Sequence, residues 1–100
     1  MNAELKTKWV EALRSGKYAQ ARRTLRKPDS NEFCCLGVFC EVQGMEWDKD
    51  KSGFYVFSQS TMPPPIVSAG LLAPIAQQLA QMNDGGKTFA EIADYIEANL

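Results

Sequence analysis

The chain has 100 residues, which is the size of one small domain. Hydrophobic residues make up 45% of it and charged residues 23%, so the composition is globular and excludes a disordered chain or a low-complexity tail. The formal net charge of −1 excludes a strongly basic nucleic-acid coat and an acidic mimic of DNA.

The sequence contains no histidine. A Ser–His–Asp or Cys–His nucleophile needs an imidazole to take a proton near neutral pH, so no ordinary catalytic triad can be built. The commonest zinc and iron ligands are missing for the same reason. The three cysteines, Cys34, Cys35 and Cys40, are one short of an all-thiolate zinc site. We therefore expect no enzymatic activity, no cofactor and no metal.

The cysteine pattern also bears on the cellular compartment. An odd number of closely spaced cysteines argues against a secreted disulfide scaffold. The sequence does not open with a signal-peptide pattern, and it lacks an apolar run of the ~18 residues that a membrane span needs. We expect a soluble protein in a reducing cytosol.

The first predicted helix begins at Asn2, which can act as its N-cap. Leu5, Trp9, Ala12 and Leu13 recur at helical spacing and predict its apolar stripe. Ser15-Gly16 ends it, because glycine tolerates the left-handed conformation that closes a helix. The next segment, 17–27, has two interpretations: a short second helix, or a lead into a strand at Arg23–Arg26.

Residues 33–42 (FCCLGVFCEV) form the most apolar stretch, which predicts a segment buried on all sides, more readily a helix than a strand. Aromatic and β-branched residues flank a polar loop at 48–53 and predict one small β-hairpin near 45–58. The prolines at 63–65 predict a stiff connector.

The last third is predicted to be helical. Pro74 suits the first turn of a helix, and the turn at 83–86 (NDGG) ends it. Thr88 and Glu91 have the spacing of a capping box, which opens a final helix with Phe89 on its apolar stripe. The predicted fold is α+β, mostly helical: a single domain over 1–100 with three to four helices and one small hairpin.

Three blocks of the chain resemble small bacteriophage and prophage proteins. The blocks are WVEALRSGKY (9–18), CCLGVFCE (34–41) and MNDGGKTFAEIADYIE (82–97). The double cysteine followed by Leu-Gly-Val is the most specific of their features. The resemblance implies a phage accessory protein expressed in a bacterial cytoplasm, and it implies no reaction, cofactor or catalytic residue.

The cysteine pair has two interpretations. At a helix N-terminus, Cys34 and Cys35 would gain a lowered thiol pKa and become nucleophilic. Small buried residues in an apolar segment are the interpretation we favour, because free cysteine is among the most buried residue types.

Charge is distributed unevenly along the chain. Residues 1–30 carry a net charge of +5 and residues 31–100 a net charge of −6. Six cations without an intervening acid form what we call the basic sector: Arg14, Lys17, Arg22, Arg23, Arg26 and Lys27. Arginine suits bidentate contact with carboxylate or phosphate, so the sector is a candidate docking surface. The alternative is that its charges pair with the acidic remainder of the same fold.

Among the aromatic residues of the predicted hairpin, Tyr55 and Phe57 share one face and are added as candidate contact residues. The favoured function is a non-enzymatic, anti-CRISPR-type inhibitor that binds an acidic host protein or ribonucleoprotein complex, with direct nucleic-acid binding less favoured. The alternative is a sponge for a small anionic nucleotide held by Arg22, Arg23 and Arg26.

Overall fold

The structure is a computed structural model that describes residues 3–22, 26, 31–44, 71 and 73–100. Within these ranges the chain forms four α-helices and two short β-strands. Their order is α1 (Ala3–Arg14), β1 (Ala19–Gln20), β2 (Glu32–Phe33), α2 (Cys35–Val42), α3 (Ala73–Asp84) and α4 (Phe89–Asn99). The predicted α+β class with helices dominant is confirmed. The predicted hairpin near 45–58 and the connector at 63–65 lie outside the described residues.

Helix α1 has the predicted amphipathic pattern. Trp9 and Leu13 are buried, and so is Val10, which the predicted stripe did not include. Its end lies where predicted: the Ser15 hydroxyl donates to the Ala12 carbonyl at 2.7 Å, and Gly16 has a φ of +74°. A residue with a side chain would be strained at that φ, so glycine fits the turn that leads into β1.

The two strands form a parallel pair in which Gln20 lies opposite Phe33. The backbone N–H of Ala21 donates to the Phe33 carbonyl at 2.7 Å, and Arg26 adds an antiparallel bridge to Phe33. None of the described residues of segment 17–27 is helical: Ala19–Gln20 form β1 and Arg26 forms a bridge, while 23–25 of the predicted strand at Arg23–Arg26 lie outside the described residues. A pair of two-residue strands is too short to show an alternating pattern, so the sequence gives no sign of it.

Helix α2 is the centre of the core, as predicted for the apolar segment, although it begins at Cys35 rather than at residue 33. Every residue from Cys35 to Cys40 is buried. Helix α1 packs against α2 and α4, and α2 packs against α3. The rings of Trp9 and Phe39 have centroids 4.2 Å apart, and the Trp9 indole N–H donates to the Cys35 carbonyl at 2.9 Å. The apolar body and the polar tip of Trp9 are thus both satisfied.

The two C-terminal helices follow the predicted signals. Helix α3 ends where the backbone N–H of Gly85 donates to Gln81 at 2.8 Å and Gly86 takes a φ of +106°. The capping box at the start of α4 is confirmed, with Thr88 and Glu91 each accepting from the other's backbone N–H at 3.2 Å. The buried face of α4 consists of Phe89, Ile92, Ala93 and Ile96.

Candidate functional site

The two adjacent cysteines are built into the core. Cys34 is the N-cap of α2, and its sulfur accepts a hydrogen bond from the Gly37 backbone N–H at 3.3 Å. Cys35 is fully buried, and its thiol donates to the Leu79 carbonyl at 3.5 Å. Each cysteine therefore has a structural role, one at a helix end and one between α2 and α3.

The chemistry of these thiols follows from their burial. Loss of solvation raises the pKa of Cys34 to about 12, although hydrogen bonds from the N-terminal amides of α2 act in the opposite direction. Burial also raises the pKa of Cys40 to about 12 and raises the pKa of Cys35 well above its ordinary value. Because the thiolate is the nucleophile, the geometry supports the structural interpretation of the cysteine pair.

A buried asparagine holds the elements around Cys35 together. Asn83, near the end of α3, is fully buried, and its side-chain oxygen accepts from the Cys35 backbone N–H at 3.2 Å and from Gln20 Nε2 at 2.9 Å. Its amide nitrogen donates to the Ala21 carbonyl at 2.7 Å and to the Asp84 carboxylate at 3.3 Å. All four hydrogen-bonding positions of the side chain are used, so Asn83 is a structural junction.

The sequence analysis placed Asn83 in a turn and missed this role. The available signal was its position seven residues after Ala76 and four after Leu79, which puts it on the buried face of α3. Gln20, also missed, completes the junction by donating to the Lys87 carbonyl at 2.7 Å.

The basic sector is divided by the fold into members with different roles. Arg14, at the end of α1, donates to Asp94 of α4 at 2.5 Å and forms an ion pair with Glu97 at 2.7 Å. Hydrogen bonds to these two carboxylates raise the pKa of Arg14. This arginine therefore follows the alternative interpretation, in which the basic sector meets the acidic half of the same fold.

Arg26 is used against an aromatic ring. Its guanidinium carbon lies 5.0 Å from the centroid of Phe33, a cation–π distance, and the residue is half-buried. Tyr18 packs edge-to-face on the same ring with centroids 5.2 Å apart. Arg26 therefore packs against β2 of its own chain.

Two members of the basic sector have a different environment. Lys17 and Arg22 are exposed, and within the described part of the chain neither forms an ion pair. Arg23 and Lys27 lie outside the described residues, as do the hairpin candidates Tyr55 and Phe57. The role in binding that the sequence analysis gave to these six residues stays a prediction.

Lys17 and Lys8 of α1 line the same surface depression. A shallow depression of about 450 Å³ lies between the end of α1, residues 17–18 and the end of α2. Its charged lining residues are Lys8, Glu11 and Lys17. Its half-buried lining residues, which offer carbon surface, are Ala12, Tyr18 and Val42. We call it the Lys8–Lys17 depression. Lys8 was not among the sequence-predicted contact residues, and no spacing along the chain indicates that it lines the same depression as Lys17.

The described residues hold neither a metal-ligand cluster nor a membrane-spanning helix. In these ranges no group of three metal-ligating side chains comes together. Nor is any helix among them long and apolar enough to cross a membrane. The turn at 84–87 acts as a helix end, with Lys87 N–H donating to the Met82 carbonyl at 3.0 Å.

Comparisons with known proteins give one result. No curated protein matches the chain, and no solved structure matches it. The sequence model of one family matches residues 1–71, a range that includes α1, both strands and α2. The chain belongs to that family, described as a domain of unknown function (DUF8296).

Proposed function

We propose that the protein is a non-enzymatic phage accessory protein of the anti-defence type, which binds and blocks a host protein or ribonucleoprotein complex. It docks through exposed cations near the end of α1 and the strand β1, and its partner presents an acidic surface. The resemblance of three sequence blocks to small phage and prophage proteins supports the biological setting.

The observation that carries the proposal is the contrast between Arg14 and its neighbours in the basic sector. Arg14 is neutralised by two carboxylates of α4, whereas Lys17 and Arg22 are exposed without an ion pair among the described residues. Cations in this state attract an acidic surface during diffusional encounter and can form new pairs on contact.

The state of the cysteines supports binding rather than covalent chemistry. Their burial and raised pKa keep them protonated near neutral pH, and the sequence contains no histidine to act as a base. The size of the domain is sufficient for an inhibitor. A standard interface covers ~800 Å² per partner, against an accessible surface of 5678 Å² for the chain.

The test is affinity capture from a bacterial lysate with three versions of the tagged protein. Wild type is compared with the double variant Lys17→Glu/Arg22→Glu and with the control Lys87→Glu, which reverses an exposed lysine two residues before α4 that pairs with Glu91 across 3.6 Å. We expect wild type and control to retain one host protein complex in stoichiometric amount, and the double variant to lose it.

A second measurement addresses the anti-defence role. The protein is expressed in bacterial strains that each carry one defence system, and the strains are challenged with phage. We expect increased plaque formation in one of these strains and none in the matched strain without the system. A nucleotide that co-purifies with the protein, in place of a host complex, would replace this proposal with the sponge.

A further inference from the structure

We infer that the Lys8–Lys17 depression is the contact point for an acidic polypeptide segment, which places a carboxylate between the two lysines and an apolar side chain on Tyr18 and Val42. This inference rests on the proposed function and adds to it the position of the contact and the chemistry of the partner.

The depression combines charge with apolar surface. Lys8 and Lys17 lie on its exposed rim, and the half-buried side chains of Ala12, Tyr18 and Val42 supply carbon surface. A partner side chain that enters it removes this carbon surface from water, which stabilises a complex by ~25 cal/mol for each Å² buried. A carboxylate alone would not use that surface.

The two lysines of the depression can pair with a carboxylate of a partner. Lys8 and Lys17 form no ion pair within the described part of the chain, and Glu11 is the one acidic side chain lining the depression. A second groove, along α1 and α4, is different, because its cations are already engaged. There Arg14 pairs with Glu97, and Lys6 Nζ donates to the Glu97 carbonyl at 3.3 Å.

Tyr18 is held in place before any partner arrives. Its ring packs edge-to-face on the fully buried Phe33 at an interplanar angle of 87°. The backbone beside it is fixed as well, because the Asn31 side chain donates to the Lys17 carbonyl. Fixing these groups in advance reduces the entropy lost on binding.

A protein segment fits this surface better than a nucleic acid. Affinity for a nucleic-acid backbone comes mainly from Lys and Arg side chains that neutralise several phosphates, and the depression offers two lysines with the acidic Glu11 in the same lining. Repulsion between Glu11 and a continuous row of phosphates would oppose binding. One carboxylate next to an apolar side chain can be oriented toward the lysines instead.

The test is an NMR titration of the full-length, isotope-labelled protein with a short acetylated peptide of Glu and Leu. The reference peptide carries Gln in place of every Glu. We expect the acidic peptide to shift the amide signals of residues 8–18 and 42, and we expect these shifts to decrease at high salt. The Gln peptide should bind about tenfold more weakly or worse.

The matched variants are Lys8→Glu/Lys17→Glu and the control Lys87→Glu, each checked for folding by circular dichroism. We expect the double variant to lose the localised shifts and the control to keep them. Equal shifts with the Gln peptide, or shifts spread over another face, would overturn the inference. Stronger shifts at the same residues with a single-stranded oligonucleotide would also overturn it.

The outcome can be separated from that of the proposed function. If the peptide does not bind the depression but Arg22→Glu alone abolishes capture of a host complex, the proposed function stands and the inferred contact point is wrong. If no version captures a complex while the peptide still binds at the depression, the surface chemistry is right and the inhibitor function is wrong.

Discussion

The side-chain oxygen of Asn83 accepts a hydrogen bond from the backbone N–H of Cys35 across 3.2 Å, joining the end of α3 to the first residue of α2. The first N–H groups of a helix have no partner within the helix, and a buried one must find a partner elsewhere. Asn83 supplies that partner and also binds the chain just after β1.

Replacing Asn83 should therefore be costly. We expect Asn83→Ala to lower the free energy of unfolding by about 3 kcal/mol, because it leaves the Cys35 N–H and the Ala21 carbonyl buried without their partner. Urea denaturation measures this loss. The control Gln78→Ala alters an exposed residue of the same helix and should change stability by less than about 0.5 kcal/mol. Equal stability of the two variants would show that Asn83 is not a junction.

The division of the basic sector predicts opposite effects for two arginines. Arg14→Glu places a third acidic group beside Asp94 and Glu97, so it should lower the melting temperature measurably, and added salt should reduce the difference. Arg22→Glu should leave the melting temperature close to that of wild type, because Arg22 is exposed without an ion pair in the described ranges. The reverse order in a thermal denaturation series would contradict the assignment.

The buried thiols should be unreactive in the native protein. With the pKa of Cys34 and Cys40 raised from 9.0 to about 12, the thiolate fraction at pH 8 falls by about a thousandfold. We expect a chromogenic disulfide reagent to modify the native protein very slowly and all three cysteines rapidly in urea. Fast reaction of one thiol without denaturant would reopen the nucleophilic interpretation.

The same pKa shift predicts a loss of stability in alkali. A group whose pKa is raised on folding keeps its proton longer in the native state, so its contribution is complete below the unfolded value of 9.0. That contribution declines as the pH rises from 9.0 toward 12. We expect the melting temperature to fall across this window, and we expect Cys34→Ser to make the fall shallower. A slope identical to that of wild type would contradict the prediction.

The capping box of α4 predicts how the stability of the protein changes in acid. Hydrogen bonds from Thr88 lower the pKa of Glu91 below its usual value of 4.5, so its contribution is present above that pH and is lost as the pH falls through the lowered value. Glu91→Gln should flatten this dependence in denaturation curves measured between pH 3 and 6. Thr88→Ala should cost about 1 kcal/mol at neutral pH. A flat pH dependence in wild type would contradict the role of the carboxylate.

The parts of the fold that are predictable from sequence depend on local signals. The capping box at Thr88, the end of α1 at Gly16 and the burial of residues 35–40 are all encoded within a few neighbouring residues. Short-range hydrogen bonds and helical spacing decide these features, so reading along the chain finds them.

The remaining features depend on contacts between distant residues. Asn83 pairs with Gln20 across 63 positions, and Arg14 pairs with Asp94 across 80. The spacing after Ala76 and Leu79 places Asn83 on the buried face of α3, but it does not show which distant groups the side chain binds. For the same reason the charge count along 14–27 could not show that Arg14 is neutralised within the fold while Arg22 is exposed, or that Lys8 and Lys17 line the same depression.

Docking of an acidic partner by the exposed cations near the end of α1 is tested by a binding measurement on the purified host complex. Dissociation constants are measured by biolayer interferometry at low and high salt for wild type, Lys17→Glu/Arg22→Glu and Lys87→Glu. The account predicts that the double variant binds at least about tenfold more weakly with unchanged thermal stability, and that wild-type binding weakens with salt. Equal dissociation constants for all three proteins, unaffected by salt, would contradict it.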